Sequence, residues 1–189
     1  KHLVDNIPFD IKMETLLIGI DFNVMNCNAV VAVKDGDKLF VIDEITKQND
    51  TDALAQEIKR RYPTNRILVY PDASGAARST INASKTDIAI LESYGFSSMA
   101  LRSNPPIKDR VQTLQALLEN SKGWVRLAIH ASCRRLIECL ELQSYDEKSG
   151  DPDKQNGYDH LNDALGYLVF REFSIIHARA GRRTGIRIY

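Results

Sequence analysis

Apolar residues in this chain fall into short runs divided by polar breaks, and the period of each run predicts its conformation. Segments 16–22, 28–34 and 38–46 read as strands. Asp35-Gly36-Asp37 makes a hairpin turn between the second and third, and the junction 23–28 is also short, so the three predict an antiparallel meander. Segment 52–62 reads as a helix with Leu54, Ala55 and Ile58 on one face, stopped by Pro63. The strand at 66–70 then follows a helical connection, the kind that produces parallel pairing. Residues 73–83 are small and read as a loop or short helix, and 85–94 is helical with Gly95 as its C-cap. A short strand near 98–101 precedes Asn104-Pro105-Pro106, which opens a helix with Ile107, Val111, Leu114 and Leu118 in register. Segment 124–129 reads as a strand or extended stretch, and Cys133, Leu136, Ile137 and Leu140 define a further helix. A polar loop spans 144–158, long enough to suggest a functional or mobile element, and a final apolar helix spans 159–173. The order predicts an α/β fold: a mixed sheet of three antiparallel strands followed by parallel ones, with helices on both faces.

Three aspartates break this pattern. Asp21 closes the run Leu16-Leu17-Ile18-Gly19-Ile20, Asp72 follows Ile67-Leu68-Val69-Tyr70-Pro71, and Asp163 interrupts the last helix. A carboxylate in such an apolar setting costs several kcal/mol or takes up a proton. Three that converge are most simply explained by divalent metal, which needs hard oxygen ligands. Carboxylates that bridge and flank two cations ~4 Å apart serve phosphodiester hydrolysis. Each aspartate also has a plainer reading. Asp21 and Asp72 suit turns at strand ends, and Asp159 and Asp163 near a helix N-terminus are favoured by its dipole. On the wheel of the last helix, Leu161, Leu165 and Leu168 share one side. Asp159, Asp163, Gly166, Phe170 and Phe173 share the other. That pattern predicts a helix buried on two faces, with Gly166 allowing close approach to the sheet and Asp163 projecting toward it.

Composition narrows the classes without choosing among them. The chain has 189 residues, 43% hydrophobic and 26% charged, as expected of one ordinary folded domain. No apolar stretch approaches the ~20 residues a membrane-spanning helix needs. Cys27, Cys133 and Cys139 are odd in number and form no C-x-x-C pair, which suggests neither a disulfide framework nor a zinc site. The formal net charge is +0, which does not by itself favour nucleic acid, but residues 171–189 carry five arginines against one acid, Glu172.

Taken together, Gly19-Ile20-Asp21-Phe22, the three-strand meander, Pro71-Asp72 and the segment Asp159-His160-Leu161-Asn162-Asp163-Ala164-Leu165-Gly166-Tyr167 resemble the ribonuclease H-like nucleases. More narrowly, with Asp72-Ala73-Ser74-Gly75 and Asn104-Pro105-Pro106-Ile107-Lys108-Asp109-Arg110, the chain resembles the nuclease domain of tailed-bacteriophage terminase large subunits. The resemblance covers residues 16–173. It implies that Asp21, Asp72 and Asp163 are catalytic and hold two Mg2+ or Mn2+ ions. Asp159 and His160 become candidates to line the site or handle protons, against a capping role for His160. Lys108 is a candidate phosphate contact, against simple exposure. Glu44 is the candidate counterpart of the fourth ribonuclease H acid, against a solvated Asp43-Glu44 pair.

The implied activity is metal-dependent endonucleolytic cleavage of double-stranded concatemeric DNA during genome packaging, in the host cytoplasm and transiently at the procapsid portal. The implied partners are DNA, the portal protein, the small terminase subunit and the ATPase domain of the same polypeptide. The sequence holds no G-x-x-x-x-G-K-[ST] loop, so the ATPase half is expected to be absent. Segment 1–14 is then expected to be a leader from the interdomain connection, 15–174 the nuclease domain and 175–189 a basic tail, with Arg179, Arg182, Arg183 and Arg187 facing portal or DNA. A Holliday-junction resolvase or transposase-like enzyme would use the same scaffold. A non-catalytic DNA-binding or docking module is the alternative from a different class. An actin-like or sugar-kinase ATPase also opens on Gly-Ile-Asp-Phe, but it requires a second lobe and glycine-rich phosphate loops that ten glycines in 189 residues do not supply.

Overall fold

In the computed structural model, which describes residues 1–23, 26–76, 86–147 and 149–174, seven strands share one mixed sheet. They are β1 (Leu3–Val4), β2 (Leu16–Asp21), β3 (Cys27–Asp35), β4 (Lys38–Gln48), β5 (Ile67–Pro71), β6 (Ser97–Ser98) and β7 (Leu127–His130). Their spatial order is β1-β7-β4-β3-β2-β5-β6. The predicted meander is there: β2 pairs antiparallel with β3, and β3 with β4. The hairpin between β3 and β4 turns on Gly36 at φ 58, a left-handed value that suits glycine. Parallel pairing begins where a helix intervenes, at β2·β5, β5·β6 and β4·β7.

Among the described residues, five α-helices cover the sheet: α1 (Thr51–Arg61), α2 (Asp87–Ser93), α3 (Ile107–Leu118), α4 (Arg134–Leu142) and α5 (Asp159–Phe173). The α1 N-terminus is fixed by Asp50, whose carboxylate accepts from Ala53 N at 2.8 Å, and its last turn carries Lys59, Arg60 and Arg61 opposite the dipole. Strand alternation sorts the sheet's side chains into two cores. Leu16, Ile18 and Ile20 of β2 pack with Leu54 and Ile58 of α1 and Leu91 of α2. Leu17, with Val30 of β3, packs on the other face with Leu114 of α3, Leu136 of α4 and Leu165 and Leu168 of α5.

Segment 1–14, expected as a leader, contributes to the domain: β1 adds an edge strand parallel to β7, and Phe9 meets the Phe40 ring edge-on at 5.4 Å. One expectation needs correction. Gly166 does not face the sheet. A Cβ there would lie 3.6 Å from Arg110 Cβ on α3, an ordinary contact. The residue that admits α5 to the sheet is Gly19 of β2, where a Cβ would overlap the carbonyl of Ala164 and lie 3.2 Å from Leu168 Cβ. Of the small-residue segment 73–83, only 73–76 is described, as a 3-10 turn; residues 77–85 and the arginine-rich tail 175–189 lie outside the described residues.

The two glycines should therefore respond oppositely to alanine. Gly19→Ala must push α5 from the sheet and should cost about 1–3 kcal/mol or more, as overpacking does. Gly166→Ala meets only ordinary contacts in a helix interior and should be neutral or stabilising by up to about 1 kcal/mol. Urea denaturation of both variants checks this; equal stability losses would refute the assignment.

Candidate metal-binding site

Asp21 is the last residue of β2 and Asp72 the first after β5. Parallel register pairs Ile20 with Pro71, and Asp72 N donates to Ile20 O at 3.2 Å, so the two aspartates leave adjacent strands side by side. Asp163 stands on α5 next to Ala164, whose carbonyl lies over Gly19, two residues before Asp21. The close approach of α5 to β2 thus sets the third carboxylate above the first. Asp21 and Asp72 are 6% and 5% exposed, and the Asp163 side chain 20%.

Electrostatics reports the convergence. The Tyr167 hydroxyl is pushed above its ordinary value by burial first; Arg110 opposes this, while Asp163, Asp72 and Asp21 all add to it. One phenol on α5 therefore senses all three carboxylates. Burial also raises the Asp21 carboxyl, against the lowering influence of His160, and Asp72 and Asp159 raise it further. Asp163 is raised by burial despite Arg110 at 2.7 Å, with Asp21 adding and Lys154 of the long loop opposing.

Each carboxylate is held through one oxygen. Asn23 Nδ2 donates to Asp21 Oδ2 at 2.6 Å, and His160 Nδ1 lies 3.1 Å from the same oxygen and 3.0 Å from Asn23 Nδ2. With a proton on Nδ1 the imidazole donates to Asp21; without one it accepts from Asn23. The Asp21 contact raises the His160 pKa above its ordinary value. Asp72 Oδ1 accepts from Ser74 N at 2.7 Å and from Ser74 Oγ, while Asn104 accepts from Ala73 N at 2.6 Å, tying the loop before α3 to this turn. Arg110 Nη1 donates to Asp163 Oδ1 at 2.7 Å.

The remaining candidates separate into two groups. Asp159 and His160 belong to the cluster: Asp159 is 6% exposed, with Oδ2 4.0 Å from His160 Nδ1. Lys108 is exposed in the first turn of α3. Glu44 is neither solvated nor turned to the aspartates: its two oxygens accept from Arg135 N at 2.9 Å and Leu136 N at 2.7 Å, anchoring the start of α4. Its neighbour Asp43 is taken by Arg61 Nη1 and Tyr62 OH, both at 2.8 Å.

Arg110 went unrecognised in the sequence, although a signal was there. It lies three residues after Ile107 and four before Leu114, on the apolar stripe of α3, a misplaced charge of the same kind as Asp163 on α5. It is 5% exposed and stacks 4.4 Å from the Tyr167 ring centroid. Asn23, Ser74 and Asn104 carried no such signal, since polar loop residues are unremarkable.

Whether a divalent cation suits this site can be judged from the donors. Hard carboxylate oxygens are what Mg2+ and Mn2+ take, and among the described residues the protein donors reach Oδ2 of Asp21, Oδ1 of Asp72 and Oδ1 of Asp163. Among these same described residues, no donor takes the other oxygen of each, although at Asp163 a cation would still stand at short range from the Arg110 guanidinium. Among the described residues, no three His, Cys, Asp or Glu side chains already stand in a coordinating arrangement. The donor chemistry fits a divalent cation, which would require these side chains to turn toward it.

The family model for the terminase RNaseH-like domain matches residues 18–172. The chain belongs to the terminase RNaseH-like domain family. Solved structures agree with the fold. The large terminase of a thermophilic bacteriophage aligns with TM-score 0.69 at 17% identity, covering 90% of this chain and 42% of that one. The chain thus spans about two-fifths of that protein's length. The P22 large terminase nuclease domain aligns with TM-score 0.67 at 16% identity, covering 93% and 91% of the two chains. The nuclease domain of the SPP1 large terminase, solved with bound Mn, gives 0.60 at 16% identity over 90% and 96%. A comparison with curated protein sequences finds no match. In this terminase-family domain the seven-stranded mixed sheet with helices matches the expected ribonuclease H-like architecture.

Burial raises both Asp21 and Asp163, but only Asp163 is paired with a buried arginine, so their replacements should differ. For Asp21 the folded pKa is raised, so its ionised form costs stability at neutral pH. The cost is relieved as pH falls from neutral through the raised value toward the ordinary one. In chelator, Asp21→Asn should melt at the same or a higher temperature and remove part of that pH slope. Asp163→Asn leaves the buried Arg110 without its counter-charge and should lose up to about 3–5 kcal/mol. Thermal melts of both variants between pH 5 and 8 test this, and a destabilised Asp21→Asn would contradict it.

Proposed function

We propose that this domain is the nuclease of a viral DNA-packaging terminase, a metal-dependent endonuclease that hydrolyses phosphodiester bonds of double-stranded concatemeric DNA. The observation that carries the reading is the convergence of Asp21, Asp72 and Asp163 from β2, the end of β5 and α5. Asp21, Asp72 and Asp163 would hold two Mg2+ or Mn2+ ions, which would supply an activated water and stabilise the leaving oxygen. Mn in the SPP1 nuclease domain, and zinc in the large terminase nuclease of another thermophilic phage, support divalent metal as the cofactor.

The chain's own groups have defined tasks in this reading. Asn23 and Ser74 orient Asp21 and Asp72 by hydrogen bonds to one oxygen each. When protonated at Nδ1, His160 donates to Asp21 Oδ2 at 3.1 Å; when not, it accepts from Asn23 Nδ2 at 3.0 Å, so it can take up or release a proton beside the cluster. Lys108, exposed at the start of α3, meets a phosphate at the mouth of the site, and Lys154 brings the long loop's positive charge to Asp163. The domain acts beside an ATPase domain of its polypeptide, with the small terminase subunit and the portal as partners, in the host cytoplasm and transiently at the procapsid portal.

Supercoiled plasmid should be nicked in Mg2+ or Mn2+ and left intact in chelator. Asn at 21, 72 or 163 should slow cleavage at least about a hundredfold, since ligand loss removes several kcal/mol of transition-state stabilisation. Continued cutting by the triple variant would sink the proposal, and strong preference for four-way junctions over linear duplex would move it to a junction-resolving enzyme of the same fold. With a formal net charge of +0, the isolated domain should hold DNA weakly. Cleavage should drop about tenfold per two phosphates contacted between 50 and 200 mM salt; a salt-insensitive rate would contradict this.

A further inference from the structure

Arg110 poses a conflict for any cation at Asp163. Its Nη1 donates to Asp163 Oδ1 at 2.7 Å, and the residue is 5% exposed, so a guanidinium and a divalent ion would compete for one carboxylate at short range. Releasing the guanidinium into the interior without a partner would leave a buried charge uncompensated. The structure holds an acceptor one helical turn away. Asp159 and Asp163 are i and i+4 on α5 and so lie on one face. Among the described residues, the buried Asp159 Oδ1 has no hydrogen-bond partner, and Arg110 Nε is a buried donor with none. Both residues line the same pocket of about 190 Å3 between α3, α4 and α5, together with Asp163 and Gly166. Gly166 has no side chain to fill the space beside Arg110, whose stem would lie 3.6 Å from a Cβ there. Buried polar groups in native proteins find partners, and these two have opposite character and shared space.

We propose that Arg110 is handed from Asp163 to Asp159 when a divalent cation takes Asp163, so that Asp159 acts as a positioning residue for the metal site. The inference rests on the metal-binding reading above. In the cation-free state Arg110 supplies the positive charge that Asp163 needs. In the cation-loaded state Asp159 receives Arg110, and Asp163 is freed for the metal with no charge left unpaired. Asp159 thereby promotes cation binding through Arg110 as well as through its own charge.

Calorimetric Mn2+ affinities of the wild type, Asp159→Asn, Arg110→Met and the double variant separate these effects. Asp159→Asn should weaken Mn2+ binding about tenfold more when Arg110 is present than when it is combined with Arg110→Met, the size of a lost charge-assisted hydrogen bond. Equal weakening in both backgrounds means that Asp159 acts by charge alone, and overturns the hand-over while leaving the metal site standing. No Mn2+ binding by the wild type overturns both. Should Arg110→Met fail to fold, Arg110→Gln retains most of the stem and a neutral donor for the same cycle. The Arg110 side-chain 15Nε–H resonance should also shift on Mg2+ addition in the wild type and stay fixed in Asp159→Asn; an unmoved wild-type resonance overturns the proposal.

Discussion

The backbone contact between α5 and β2 sets the geometry of everything functional in this domain. A Cβ on Gly19 would overlap the Ala164 carbonyl, so helix and strand meet at a distance that only a glycine permits. The contact lies two residues from Asp21 and one from Asp163. It therefore fixes how far apart those carboxylates stand, while the β2·β5 register independently fixes Asp72 beside Asp21. One steric fact and one hydrogen-bond register together define a three-point site. Neither depends on the acidic side chains, so the fold can build the site before any cation stabilises it.

Such a site opposes the stability of the domain. Burial raises both Asp21 and Asp163; Asp72 and Asp159 add to the first, and Asp21 adds to the second. The molecule answers with local counter-charges and donors rather than with solvent: Arg110 for Asp163, Asn23 and His160 for Asp21, Ser74 for Asp72. Net charge averages this away. A chain of formal charge +0 still concentrates negative charge at one end of its sheet, and its bulk composition says nothing about where a cation or a phosphate would be drawn.

Period and punctuation carried the meander, because alternation, the Asp35-Gly36-Asp37 turn and a short first junction leave few other arrangements. The predicted strands 16–22, 28–34 and 38–46 differ from β2, β3 and β4 only at their ends. The two-residue β1 carried no periodicity; its conformation is induced by the open edge of β7, a tertiary effect that local sequence cannot hold. The misread Gly166 has a different cause. A helical wheel says which residues share a face but not which element covers it, and α5 is covered on one face by the sheet and on another by α3. Glu44 shows the same limit: an acid next to an acid on a strand looks solvated until α4 arrives to place two N–H groups on it. The three aspartates were legible because apolar neighbours made them anomalous, and Arg110 could have been read by that rule on the stripe of α3.

The distribution of support within the site bears on what a metal would be for. In small metal-dependent folds the cation replaces a missing core, and the chain unfolds without it. Here two separate hydrophobic cores lie on the faces of a seven-stranded sheet, one under α1 and α2 and the other under α3, α4 and α5. The aspartates cluster where β2 and β5 end, with Arg110 already compensating the most intimate of them. Removing cations would leave that framework intact and merely restore protein donors to the carboxylates. On the metal-binding reading proposed above, a site arranged in this way would reserve its cations for chemistry, and the domain would keep its fold as they exchange.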